Sequence, residues 1–331
     1  MKLKEQLSDV RFFRYDRKTQ AKFAAGGVLK LGTQILIYLY LLGISYVILY
    51  PVLYMFSMAF RPGEQVMDPN IVWIPTKLTF NNIRDVWVNL DYSSLLVNTL
   101  KFSGVSTLLT LLSCGMVGYG FARFQFRGKG FLMVMLIVML VTPIEIVSIP
   151  NYLLFSDFDP LGIIGLVNKL TGSGFRINIF DNLLNTYLPA ATGVGLRSGL
   201  YILIFMQFFR SIPKEIEEAA YVDGSGFMAT LWRVMLPNAK PAVVTVFLFS
   251  IVWYWNDTSL STLYYDQFKT VSTELLEIGS SVSSFVQTTT YSGIVTWVQA
   301  GVFLSITPMI LLYVLFQRSF VESIATTGLV G

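Results

Sequence analysis

Residues 211–241 read SIPKEIEEAAYVDGSGFMATLWRVMLPNAKP. This is the longest segment in the second half of the chain that is both polar and helix-forming, and apolar runs of membrane length flank it. Its first part, 213–222, has the pattern of a short helix. Ser211 is placed to cap it, and Pro213 is tolerated in a first turn, where no backbone N–H is needed. Glu215, Glu217 and Glu218 lie near the start, where the helix dipole favours negative charge. Charged helical residues are seldom buried, so Glu215 and Glu217 are expected on a solvated face. Gly224 predicts a break, and a second short helix is expected over 226–235, stopping before Pro237. Two short helices hinged on a glycine make a compact knob. Ala219 and Ala220 would keep its surface flat, so that another protein could approach closely. An amphipathic helix lying on a membrane surface is the competing reading, but it has little need of a break at Gly224.

Composition sets the class. Of 331 residues, 54% are hydrophobic and 13% charged, with a net charge of +4. The mean hydropathy is +0.60. Soluble domains carry about 25% charged residues, so the chain reads as an all-α polytopic membrane protein. Apolar runs are spread evenly along it, which implies a single membrane domain. Basic loops beside a membrane explain the positive charge without nucleic acid. The chain has no histidine and one cysteine, Cys114. That excludes histidine-based catalysis, a multi-cysteine metal site and an intrachain disulfide. Cys114 lies in an apolar run and is expected to pack between helices. No Gly-x-x-x-x-Gly-Lys-Ser/Thr loop occurs, so any ATP site must lie on another chain.

A membrane span needs about 20 predominantly apolar residues. Six transmembrane helices are expected, at 34–60, 95–121, 131–155, 187–209, 242–263 and 293–316. The first contains Pro51, and the third is interrupted by Pro143 and Pro150. A basic, mostly polar segment at 1–33 precedes the first run, which is long enough to stay as an anchor rather than act as a cleaved signal. An N-in/C-in topology places 1–33, 122–130, 210–241 and 317–331 in the cytoplasm. These segments hold 16 of the 24 basic residues, the asymmetry that orients membrane proteins. Outside, 61–94, 156–186 and 264–292 are long enough for structure of their own. The second is glycine-rich with room for one short helix. The third carries Ser280, Ser281, Ser283, Ser284 and three threonines at 288–290, a hydrophilic surface.

The knob also carries a family pattern. Glu218-Ala219-Ala220, Gly224, Val234 and Leu236-Pro237, at their spacing, resemble the EAA loop of ABC importer permeases. Val234 stands where that pattern prefers isoleucine. Leu78-Thr79-Phe80-Asn81-Asn82-Ile83 is similar to a stretch that precedes the second span of sugar permeases. The loop from Ala122-Arg123-Phe124 to Gly128-Lys129, the run Trp255-Asn256-Asp257 and the tail from Gln317-Arg318 to Gly331 are similar too. In the tail Val330 replaces a lysine. Together these similarities cover most of 34–331 and resemble the six-span permeases of the maltose-transporter type.

The resemblance implies that Glu218, Ala219, Ala220, Gly224, Leu236 and Pro237 form a cytoplasmic coupling loop. Two ATP-binding cassette subunits would grip it and hold the ATP and magnesium. This chain would then carry no cofactor or metal and would not be an enzyme. A second permease, forming a heterodimer, and an extracytoplasmic solute-binding protein would complete the assembly in a bacterial cytoplasmic membrane. Rigid-body motion would drive alternating access to a sugar or oligosaccharide.

Polar residues inside spans need a reason, since a charge at the bilayer centre costs about 2.5–3.5 kcal/mol on insertion scales. Glu145 lies between Pro143 and Pro150, where broken helix could line a cavity. Trp253, Tyr254 and Trp255 beside Asn256 and Asp257 offer ring faces to sugar C–H groups and polar groups to hydroxyls. An aromatic belt, or plain helix packing, is the competing reading. The segment 156–186 is a candidate docking or lid element. Two other functions stay open: an ABC permease for a peptide or polyol phosphate, and an ion-coupled secondary transporter. The latter normally shows internal repeats and intramembrane ionisable residues. A membrane enzyme would need catalytic groups that the chain lacks.

Overall fold

The computed structural model describes residues 17–71, 73–159, 162–285 and 291–327, with side chains over 30–71, 73–159, 162–278 and 293–318. Residues 1–16 of the basic segment, the threonines at 288–290, the four serines from Ser280 to Ser284 as side chains, and the tail at 328–331 lie outside these described residues. In chain order the helices are α1 (Arg17–Ala59), α2 (Asn81–Asn89), α3 (Tyr92–Arg123), α4 (Lys129–Val141), α5 (Ile144–Ser156), α6 (Ile163–Thr171), α7 (Leu184–Ala191), α8 (Ser198–Ser211), α9 (Lys214–Val222), α10 (Phe227–Thr230), α11 (Leu236–Asn238), α12 (Lys240–Trp255), α13 (Ser259–Tyr264), α14 (Val271–Phe285) and α15 (Tyr291–Thr327). Among the described residues there is no strand. That suits lipid, where a helix satisfies its own backbone polar groups.

Two compact units divide the chain, 1–56 and 57–331. The first is described as helix from Arg17 onward. Its side chains from residue 30 to residue 53 are exposed and mostly apolar, and Pro51 lies within the helix without ending it.

In the second unit α3 is the central post. It packs most extensively on α8 and α12. The face of α3 turned to its neighbours carries buried Thr99, Ser103, Ser106, Thr107, Thr110 and Ser113. Small residues of this kind let helices approach closely in membranes, where apolar burial gives no advantage over lipid. Two of them tie elements together. Ser113 Oγ donates to Ala190 O at 2.6 Å, and Thr99 Oγ1 accepts the Val271 N–H at 2.8 Å. Gly118 marks the tightest approach. A Cβ there would stand 2.6 Å from Phe205 Cβ and 3.1 Å from Ile202 O on α8. Cys114 is fully buried in the same core, with Tyr201, Phe205 and Leu136.

Several expected boundaries differ from the helices observed. By length and apolarity, three helical stretches can cross a membrane: Lys30–Ala59, Tyr92–Arg123 and Gly293–Arg318. Two bent pairs raise this to five among the described residues. The first pair is α4 and α5, which replace the expected span 131–155 and turn through 102°. Pro143 makes that break by flanking α5 in extended conformation, whereas Pro150 sits inside α5. The second pair, Phe227–Asn238 with α12, bends by 83°.

The expected span 187–209 is not one helix. Residues 192–197 interrupt it, with Gly193 at φ 76° and Arg197 at φ 58°. That leaves α8 with 14 residues. At 1.5 Å per residue this is about 21 Å, short of a hydrocarbon core of about 30 Å. The expected span 242–263 stops as α12 at Trp255, and the last helix continues past 316 to Thr327.

The segments expected outside are ordered by hydrogen bonds to backbone groups. Asn82 is buried and donates to the carbonyls of Ala59 and Arg61, at 3.0 and 2.8 Å. In 156–186 one short helix, α6, forms. Asp181 joins this segment to 264–268: its N–H donates to Tyr264 O, and its carboxylate accepts the N–H groups of Asp266 and Gln267. In 264–292 Val271 and Ile278 bury one face of α14, while the serines and threonines that suggested a hydrophilic surface lie outside the described side chains.

Candidate coupling site

The knob is built by its own sequence. α9 starts after extended Pro213, and Ser211 does not cap it. Ser211 instead closes α8, its Oγ donating to Phe208 O at 2.7 Å. At the other end of α9, Gly224 takes φ 79°. Its N–H donates to Tyr221 O at 3.0 Å, and the Ser225 N–H donates to Ala220 O at 2.9 Å. This is the paired bonding of a Schellman motif, which wants glycine at the left-handed position. The second leg is not one helix ending before Pro237. It is α10, a π turn at Leu231–Met235, then α11, with Pro237 inside it. A wider turn just before a proline gives its ring room that an α turn withholds.

Burial separates the knob into two faces. Ala220 is buried at 8% exposure, against the expectation of a flat outer alanine pair, while Ala219 and Glu218 are exposed. Ile216, Val222, Met228 and Trp232 of the same segment are exposed as well, Val222 at 87%. Several large exposed apolar side chains on one short polar segment are the composition of a surface that meets another protein. Leu236 is half-buried and Pro237 exposed.

The largest correction concerns Glu217, which is buried at 7% exposure rather than solvated. Its Oε2 lies 2.9 Å from Arg123 Nε, and both side chains are more than nine-tenths buried. Its Oε1 accepts the hydroxyl protons of Tyr119 and, at 3.2 Å, Tyr221. Arg123 also donates from Nη2 to Ile212 O at 2.6 Å. Tyr119 stacks on Phe227 of α10, with ring centroids 5.4 Å apart. Both legs of the knob are therefore held by one turn of α3. Spacing along the sequence gave no sign of this pairing. The only available signal was an arginine at the end of an apolar run, where a buried partner is the economical solution.

The candidate solute-path residues are not brought together. Glu145 is exposed in the first turn of α5, where the helix dipole favours it. Tyr254 is buried, its hydroxyl 3.4 Å from Thr110 Oγ1. Trp255 is also buried and donates from Nε1 to Ser305 O at 3.2 Å. Asp257 accepts the Ser261 N–H at 2.9 Å and the Ser261 hydroxyl at 2.7 Å, at the head of α13. Asn256 is exposed and bonds back to Val252 O. Trp253 is exposed, and its ring is covered by the Arg197 guanidinium at 4.3 Å. Arg197 also lines a cavity of about 610 Å³ between the α4–α5 bend and the α7–α8 turn, with Thr142, Asn151, Thr192 and many apolar side chains.

Residues 114–325 match the family described as the binding-protein-dependent transport system inner membrane component. The chain belongs to that family. The match takes in the knob, its anchor Tyr119–Arg123 and the helices from α4 onward. Among curated relatives, the trehalose transport system permease protein SugB of Mycobacterium tuberculosis is 27% identical over 283 residues, covering 86% of this chain and 93% of that one. The diacetylchitobiose uptake system permease protein NgcG of Streptomyces coelicolor is 25% identical, covering 85% and 84%. A crystal structure of a bacterial ABC transporter that imports the acidic polysaccharide alginate aligns with TM-score 0.64 at 20% identity, over 92% of this chain and 99% of that one. That likeness shows the fold. The chain is accordingly a membrane-embedded transport component, and its permease relatives fit a non-enzymatic subunit.

Proposed function

We propose that the chain is one permease subunit of an ATP-driven ABC importer for a sugar or oligosaccharide. The observation that carries this reading is the knob: Glu218, Ala219, Ile216, Val222, Met228 and Trp232 all exposed, on a body fixed to α3. Two ATPase subunits, which hold the ATP and magnesium, grip this face. A second permease completes the path, and a binding protein delivers solute on the outer side, where 156–186 is the docking element. The N-in/C-in orientation in a bacterial cytoplasmic membrane puts the knob on the ATPase side, as the basic-residue asymmetry requires. The sugar class rests on the names of the curated relatives, for trehalose, diacetylchitobiose and maltodextrin. Of the aromatic set, Trp253 is the most exposed ring, with one face on the Arg197 guanidinium, and it is the member of the set that a solute could reach.

The test is uptake into proteoliposomes holding this chain with its ATPase, second permease and binding protein. Labelled trehalose, maltodextrin and diacetylchitobiose serve as probes. One of them should accumulate only with ATP, and Glu218→Arg should reduce that uptake at least ten-fold. Uptake by this chain alone, driven by an ion gradient, would overturn the reading.

A further inference from the structure

Glu217 and Arg123 form an ion pair that an exposed coupling surface has no need of. A protein-facing helix could be held by apolar packing alone, and a buried pair stabilises little over well-packed apolar side chains. What the pair does supply is rigidity of position. Glu217 has three partners, and two of them, Tyr119 and Arg123, are one turn apart on α3. Arg123 reaches on to Ile212 O, at the entry to α9. Tyr221 OH lies 3.3 Å from Tyr119 OH near the exit of α9. Phe227 packs on Tyr119 and on Phe124, both at 5.4 Å between ring centroids. The knob therefore meets α3 at the entry of α9, near its exit, and at the start of α10. α3 in turn packs on α8 and α12.

We propose that the Arg123–Glu217–Tyr119 cluster is a latch that passes displacement of the knob to α3, and through α3 to α8 and α12. The proposal rests on the permease reading and deepens it. Glu218 receives the push from outside the chain, and Glu217, the next residue on the helix and turned inward, hands that push to the membrane helices. Arg123 and Glu217 are positioning residues in this scheme. They touch neither ATP nor solute.

The experiment measures solute moved per ATP hydrolysed, per mole of assembled complex, in the proteoliposomes described above. Glu217→Gln keeps the shape and one hydrogen-bond acceptor but removes the charge. Arg123→Lys keeps the charge but loses the reach to both Glu217 and Ile212. Both should lower the ratio at least ten-fold, and Glu217→Asp should recover part of it. A role confined to folding would lower the amount of assembled complex and leave the ratio at its wild-type value, and that result overturns the latch. A spin-label distance between exposed Leu108 on α3 and exposed Phe249 on α12, compared with and without ATP, gives a second reading. It should change in wild type and stay fixed in Glu217→Gln. An equal change in both defeats the proposal. Wild type that moves solute without ATP defeats the permease reading itself, whatever the variants do.

Discussion

The knob at 211–241 and the aromatic run at 253–257 are both short, motif-like stretches, yet the fold treats them differently. In the knob the residues that carry the family pattern keep together on one small body. Gly224 turns it, Ala220 packs it, and Glu218 and Ala219 face outward. In the aromatic run, five consecutive residues go to different tasks. Tyr254 and Trp255 pack inward, Asp257 opens α13, and Trp253 and Asn256 face out. The difference follows from periodicity. Neighbours on a helix point about 100° apart, so a run of adjacent residues cannot share one face, whereas residues spaced by turns and breaks can. A motif written as spacing describes a surface, and a motif written as a run describes a strip wound around a helix.

The sharpest way to break this comparison is to truncate the two tryptophans separately. Trp255 is 1% exposed and holds Ser305 O, so Trp255→Ala should destabilise the chain by about 3–5 kcal/mol. Trp253 is 44% exposed. Trp253→Ala should leave thermal stability within about 0.5 kcal/mol, as surface changes do, while lowering uptake several-fold if the ring meets solute. Thermal unfolding in detergent, set beside uptake, separates the two. Equal destabilisation by both variants would mean the run packs as one block.

A smaller effect is expected inside the knob. Gly224 has open space around its missing Cβ, so Gly224→Ala meets no clash. Its cost comes from φ alone, about 1–2 kcal/mol for a residue with a side chain in the left-handed region. Because the Schellman bonds close only the end of α9, that strain should appear as faster hydrogen exchange at Gly224 and Ser225 rather than as global unfolding. Gly224→Asn should cost less, since asparagine tolerates this conformation best among the rest. No change in exchange for either variant would show that the turn is held by the legs and not by the glycine.

What the sequence made legible follows the same division. The helical class, the knob and the turn at Gly224 are local properties, and they were readable from apolar run length and glycine. The break at 192–197 was masked, because Leu188, Pro189, Val194 and Leu196 keep the stretch apolar while Gly193 and Gly195 open it. The π turn before Pro237 was unreadable, since its cause is how the turn accommodates the ring and not a residue type. Glu217 was misread because a solvated glutamate and a paired one look alike until α3 delivers Arg123 and Tyr119. Arg197 falls within the expected span 187–209 with no partner legible in the sequence, and only the fold sets it on Trp253 and into the cavity.

Asp257 gives the finest test of the comparison, because two roles predict opposite results for one substitution. Its carboxylate accepts the N–H groups of Ser261 and Leu260, at 2.9 and 3.3 Å, and so caps α13. Tyr264, in the last turn of α13, donates to Ser148 O of α5 at 3.1 Å, so the cap also holds the position of that contact. Asp257→Ala should therefore cost about 1 kcal/mol, the usual loss of a capping acceptor. Asparagine caps about as well as aspartate, so Asp257→Asn should restore stability and uptake together. If Asp257→Asn instead kept stability and lost uptake, the charge would be facing solute. The run 253–257 would then hold two solute-facing members, Trp253 on α12 and Asp257 just beyond its end, and the contrast with the knob would narrow to the two buried rings between them.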